Sequence, residues 1–242
     1  SGTAWALVLF ATLPPVLALA WRAGRVGGSA AEGRRPAWSL PGLMGTLADA
    51  FGEIAAPCVK SVVLSVIAAS LALLLAWPTA YLARRRGAWR IVALLGVTMG
   101  FATPGPIIGM ALVLAWRDVG WVYNSSLILI LAYLPRCWSF AVALLWPVLR
   151  SLPREPFELA TVEGIGPLRQ AWSIARPMSR SASVLTWCVC GLLAFGELPA
   201  ANLVEPPTRT NLATIRVWQL LHTGVESHLA GVALALLLVV VV

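Results

Sequence analysis

Residues 61–83 read SVVLSVIAASLALLLAWPTAYLA, 23 consecutive positions without a charge. A helix of that length covers the ~30 Å hydrocarbon core of a bilayer, and no globular core needs so long an apolar run. The run is continuously apolar and does not alternate, which excludes a transmembrane β-strand. Stretches 3–20, 91–116, 125–149 and 181–201 read the same way, and a sixth, 229–242, is too short to cross. The expected fold class is all-α: a polytopic membrane helix bundle of about six transmembrane helices, forming one domain over 1–242. The chain starts at Ser1 and stops inside its sixth run, so both ends are expected to be cuts through a longer polypeptide. Segment 3–20 lacks the basic start of a signal peptide, and its Pro14-Pro15 pair fits a kinked span.

Composition agrees with this reading. Of 242 residues, 59% are hydrophobic and 12% charged, and mean hydropathy is +0.82, which excludes an ordinary soluble domain. The net charge of +8 would suit a nucleic-acid binder, but the placement of the charge argues against one. Nine of the 18 basic residues occupy two gaps between apolar runs: Arg84, Arg85, Arg86 and Arg90 in one, and Arg150, Arg154, Arg169, Arg176 and Arg180 in the other. Such loops are held on the cytoplasmic side by their charge. Two spans separate the gaps, so both fall on the same side. This puts 150–180 inside and 21–60, 117–124 and 202–228 outside. Arg22, Arg25, Arg34, Arg35 and Lys60 pull the other way, but their segment is long and also holds Glu32, Asp49 and Glu53.

Several residues stand out within the runs. Trp21, Trp77, Trp89, Trp116, Trp121 and Trp146 lie near span ends, where tryptophan anchors a helix at the interface. Cys58, Cys137, Cys188 and Cys190 lack zinc-type spacing with histidines and read as small core residues. The third span carries Gly96, Gly100, Gly105 and Gly109, small residues spaced for close approach of a neighbouring helix. Within it, Thr103-Pro104-Gly105-Pro106 removes helical hydrogen bonds in mid-membrane. Either a packing kink or a discontinuous helix lining a translocation path accounts for it. Arg136 sits eleven residues into the fourth span beside Pro135. An intramembrane arginine marks either a structural pairing or an interior pathway.

Residues 150–180 are the most organised polar stretch. Glu155-Pro156-Phe157-Glu158 reads as a helix start, with proline early and acids favourable to the dipole. Gly164-Ile165-Gly166-Pro167 breaks that helix and starts another, carrying Leu168, Ala171, Trp172 and Ala175 at helical spacing and stopping at Pro177. A solvated loop needs no apolar face, so this helix-turn-helix is expected to dock against a partner.

Glu158-Leu159-Ala160, Gly164, Ile174 and Pro177 together resemble the EAA loop of bacterial ABC importer permeases, E-A-A, three residues, G, nine residues, I-x-L-P. Five of seven fixed positions match, with Leu159 and Arg176 as the departures. The resemblance extends from about residue 61 to about residue 224. Thr103 to Gly109 is similar to the family's P-G-x-x-x-G stretch. Glu197 to Leu203, Pro206-Pro207-Thr208 and Thr214 to Gly224 look most like the ferric-iron subgroup, often two permease halves fused in one chain. The resemblance implies the type I, MetI-like permease fold, a multi-pass place in the bacterial cytoplasmic membrane, and a non-catalytic transport subunit. It also implies the partners: a cytoplasmic ABC ATPase dimer, a second permease half (fused, or a homo- or heterodimer), a periplasmic substrate-binding protein and membrane lipid.

Lys60 is the only lysine and lies outside any G-x-x-x-x-G-K-[ST] loop, so these 242 residues hold no conventional phosphate-binding loop. No cofactor is expected on this chain, and ATP and Mg would belong to the partner ATPase. Glu158 either caps its own helix or pairs with a basic residue of that ATPase. Pro104, Gly105, Pro106, Arg136 and Glu197 are the candidate pathway residues, and no resident metal is expected. Glu197, Glu205 and Glu226 near the outer face could meet a hard cation. Ferric iron leads as substrate, with thiamine, a polyamine, a phosphonate or an oxyanion as alternatives. The rival functions are an ATP-independent channel, a structural membrane subunit, and an intramembrane hydrolase using His222 or His228.

Overall fold

The computed structural model describes residues 2–26, 37–84, 87–204, 212–223 and 226–241. Glu32, Arg34, Arg35, Arg85, Arg86, Glu205, Pro206, Pro207, Thr208 and Gly224 lie outside the described residues, as does the side chain of Glu226. Among the described residues the regular structure is helical apart from a two-residue antiparallel pairing of β1 (Arg25–Val26) with β2 (Ala37–Trp38). Helices α2 (Leu40–Ala83) and α6 (Leu127–Ser151) are each long and apolar enough to cross a membrane. Two bent pairs add up to two more crossings if each pair is one span, giving two to four candidates among the described residues.

The contacts divide the chain into two compact units, residues 1–60 with 211–242, and residues 61–210. The first contains α1 (Gly2–Ala23), which runs through Pro14 and Pro15, together with α12 (Ala213–Thr223) and α13 (Glu226–Val241). Helix α13 packs along α1 and meets α12. Glu53, Arg216 and His228 form a polar cluster in this unit. Arg216 donates through Nε at 2.6 Å, and also through Nη2, to Glu53 Oε1, while His228 Nε2 lies 2.9 Å from Glu53 Oε2.

Three expectations change here. Segment 21–60, expected as an outer stretch between spans, is not wholly a connection, because α2 begins at Leu40. Its buried positions, Ala50, Ile54, Cys58, Ser61, Leu64, Ala68, Ala72, Ala76 and Ala80, recur every three or four residues, so a single apolar stripe continues through the charged region. Asp49 and Lys60 fall on the exposed side of that stripe, which is why charge alone misread it. The described residues of segment 202–228 are likewise mostly helical, and His222 and His228 are helix residues. The span expected at 181–201 ends earlier: α10 (Arg180–Phe195) stops at Gly196, and α11 (Pro199–Val204) is a separate short helix.

The second unit is built around α6. Its buried face, including Ile128, Leu129, Tyr133, Cys137, Val142, Leu145 and Leu149, meets α3 (Ala88–Ala102), α4 (Gly105–Trp116), α5 (Gly120–Tyr123), α10 and α11. Helices that cross a bilayer associate through close fit and interhelical hydrogen bonds, because lipid removes the apolar driving force. Both are present. An added Cβ at Gly96 would meet the Trp138 ring and one at Gly100 would meet Ser139, which places α3 tightly on α6. Ser139 Oγ donates to Gly96 O at 3.1 Å, and Phe101 packs edge-on to Phe140 at 4.5 Å. On the opposite side of α6, Cys137 and Cys190 each donate a thiol to the other's carbonyl, at 3.5 and 3.3 Å. They are therefore packing residues, although no sequence spacing links them.

Candidate functional site: a broken helix and a buried ion pair

The third apolar run is not a continuous span. Helices α3 and α4 meet at Thr103-Pro104 with a bend of 102°. The residue before a proline is pushed to extended backbone, and Thr103 obeys this at φ −87, ψ 115, ending α3. Its backbone N–H and its hydroxyl both bond Met99 O, at 2.9 and 2.7 Å. Pro104 is the extended N-cap of α4, and Pro106 occupies the first turn, where a missing N–H is tolerated. Gly105 is helical although it precedes a proline, a position where the absent Cβ relieves the usual clash.

Gly105 has a second reason to be glycine. A Cβ there would lie 2.8 Å from Glu197 Oε1, 3.1 Å from Pro199 Cβ and 3.3 Å from Ala200 N. Gly109, one turn on, lies against Leu203 and the carbonyl of Ala200. The four glycines thus serve two different neighbours. Gly96 and Gly100 seat α3 on α6, while Gly105 and Gly109 seat α4 on α11.

Arg136 and Glu197 meet at this point. Arg136 Nη1 donates to Glu197 Oε2 at 2.8 Å, and the Ala200 backbone N–H donates to Glu197 Oε1 at 3.4 Å. The Glu197 side chain is 6% exposed and that of Arg136 is 41% exposed. The carboxylate is enclosed and neutralised, while much of the guanidinium remains accessible. Pro104, Gly105, Arg136 and Glu197 are therefore brought together from α3–α4, α6 and the α10–α11 turn, and Pro106 adjoins them in α4. Among the described residues no three His, Cys, Asp or Glu side chains gather in a way that could hold a metal ion.

The helix-turn-helix after α6 consists of α7 (Glu155–Val162), α8 (Pro167–Gln170), a π-helical turn (Ala171–Ala175) and α9 (Arg176–Met178). The end of α7 is a paired C-terminal cap: Gly164 N–H bonds Thr161 O at 3.0 Å and Ile165 N–H bonds Ala160 O at 2.8 Å. This cap needs a left-handed residue, and Gly164 supplies it at φ 74. Buried Gln170 closes the turn by donating from Nε2 to Thr161 Oγ1 at 3.0 Å and Ile165 O at 2.8 Å. Gly164→Ala meets no neighbour but must hold the same φ, so it should cost about 1 kcal/mol. A lowered thermal midpoint in detergent checks this, with Gly166→Ala as the unstrained control.

The EAA-like residues take distinct places. Ala160 is buried, Ile174 is half-buried, and Glu158, Leu159, Gly164 and Pro177 are exposed. The Glu158 side chain makes no hydrogen bond within the described residues and does not cap α7. The expected single apolar face on the second helix divides: Ala171 and Ala175 turn inward, whereas Leu168 and Trp172 are exposed. The four positions straddle the edge of a helical face, and the π-helical turn shifts their register. Arg176 lies over the Trp172 ring at 4.4 Å.

The element is tied to the spans. Phe157 is buried under the Arg84 guanidinium at 4.0 Å, Trp77 Nε1 donates to Ser179 Oγ at 3.2 Å, and Trp146 Nε1 donates to Ala83 O at 3.2 Å. Beside it lies a cavity of about 780 Å³ lined by Arg84, Arg90, Arg150, Arg154 and Glu158. No family model and no curated protein matches this chain.

Proposed function

We propose that this chain is a transmembrane permease subunit of a bacterial ABC importer, with six spans in the type I arrangement. In this reading it forms part of the translocation pathway and is driven by a separate ATPase. The observation that carries the proposal is the capped helix-turn-helix with its outward apolar residues: Val162 is 87% exposed, Leu168 79% and Leu159 66%. Water disfavours such a surface, and a groove on a partner would cover it. The cation–π contact at Arg84 and the hydrogen bonds at Trp77 and Trp146 would pass a push on this element to α2, α6 and α10. Closure of an ATPase dimer would then reorient the spans as rigid bodies.

In this reading the pathway runs past the α3–α4 break. Arg136 is partly exposed in a single half, and a second permease half would cover that side. Ferric iron remains the substrate suggested by the resemblance. A second reading is favoured by the ion pair: the carboxylate is enclosed and the accessible group is cationic, which suits an anionic solute such as an oxyanion or phosphonate, or iron carried with an anion. Retention of radiolabelled candidates by the cognate periplasmic binding protein distinguishes these substrates.

Gly164→Arg tests the docking role. It should insert into the membrane normally yet lose ATPase association in a pull-down, and unchanged association would refute the proposal. Uptake in proteoliposomes lacking nucleotide would favour a channel instead.

A further inference from the structure

The arginine-lined cavity takes no part in the proposed pathway, yet segments distant in sequence converge on it. Arg84 follows α2, Arg90 is in the first turn of α3, Arg150 in the last turn of α6, and Arg154 in the link to α7. Glu158 is the one carboxylate among the lining residues. Arg90, Arg150 and Arg154 make no ion pair with any described carboxylate. Four cations facing one anion in a single concavity focus a positive potential that an entering anion would relieve. The cavity also lies where α2 and α6 end, and these are the two helices long enough to cross a bilayer unaided. Helix ends of this kind stand at the level of phospholipid headgroups, and basic pockets between spans are where acidic headgroups bind.

We propose that this cavity binds the phosphate-bearing headgroup of an anionic phospholipid. The forked guanidinium groups of Arg90, Arg150 and Arg154 donate to the phosphate oxygens, a geometry that arginine matches better than lysine. Phe157 and Glu158 belong to α7, so an occupied cavity fastens the start of the helix-turn-helix to the ends of α2 and α6. The site is independent of which solute the protein carries.

Native mass spectrometry of the full protein in detergent tests the proposal, with phosphatidylglycerol, phosphatidylcholine and inorganic phosphate as probes. Phosphatidylglycerol is expected to be retained and phosphatidylcholine lost. Arg90→Gln with Arg150→Gln should weaken phosphatidylglycerol binding about thirtyfold, each charge near the surface contributing about fivefold. Glu158→Gln removes the one opposing charge and should tighten binding. Equal retention of the two lipids, or wild-type affinity in the double arginine variant, would overturn the proposal. So would displacement of phosphatidylglycerol by an equal concentration of inorganic phosphate, which would make the ligand a free anion. If the double variant does not fold, Glu158→Gln decides alone, since unchanged or weaker phosphatidylglycerol binding contradicts the assignment.

Discussion

Replacing Arg136 with leucine is expected to destabilise the protein by about 3–5 kcal/mol, because Glu197 is then left enclosed without its counter-charge. Glu197→Leu should cost less: Arg136 is 41% exposed and can turn toward a more polar surrounding. Replacing both with leucine should recover most of the loss, since two apolar side chains need no partner. Denaturation of the purified protein in mixed detergent, read as a double-mutant cycle, measures the coupling between the two positions. A coupling near zero would mean that the contact contributes nothing and that the two residues are held there by their helices alone.

Gly105→Val is the second large effect. Its added carbons enter the space of Glu197 Oε1, Pro199 Cβ and Ala200 N, all within 3.3 Å of the first new atom. Two of these three neighbours are backbone or a rigid ring, so overpacking should cost about 1–3 kcal/mol. The carboxylate is the atom best able to move, and moving it disturbs its bond to Arg136. On the proposed permease function, solute uptake should therefore fall more steeply than stability. Gly191→Ala is the matched control: a Cβ there meets nothing within 4 Å, and the change should be neutral or mildly stabilising. Equal losses of uptake in the two variants would separate the break from transport.

Much of this site could be read in the sequence, for local reasons. Thr103-Pro104-Gly105-Pro106 breaks a helix through the geometry of proline itself, and Gly164 marks a turn that needs a positive φ. Arg136 is conspicuous because an arginine in an apolar run is costly. Its partner was not legible as a partner, because 61 residues separate Arg136 from Glu197 and only the folded chain joins them. The same holds for Glu53 with Arg216 and for Cys137 with Cys190. The helical start of α2 was obscured by Asp49, Glu53 and Lys60, whose charges fall outside its buried stripe. The two faces of the second helix after Gly164 were merged because a π-helical turn changes a register that a fixed period assumes constant. The four arginines around the cavity fall in two separate loop clusters along the sequence. Their convergence depends on how α2, α3, α6 and α7 meet.

The division of the glycines has a mechanical consequence. Each half of the broken helix is sealed to its own companion, α3 to α6 and α4 to α11, with Thr103 and Pro104 as the joint between two closed seams. Rotation at those two residues leaves both seams intact. The Arg136–Glu197 clasp links one seam to the other, alongside the packing of α4 and α11 on α6, so a swing of the second half-helix with its companion would have to release the clasp and slide both over α6.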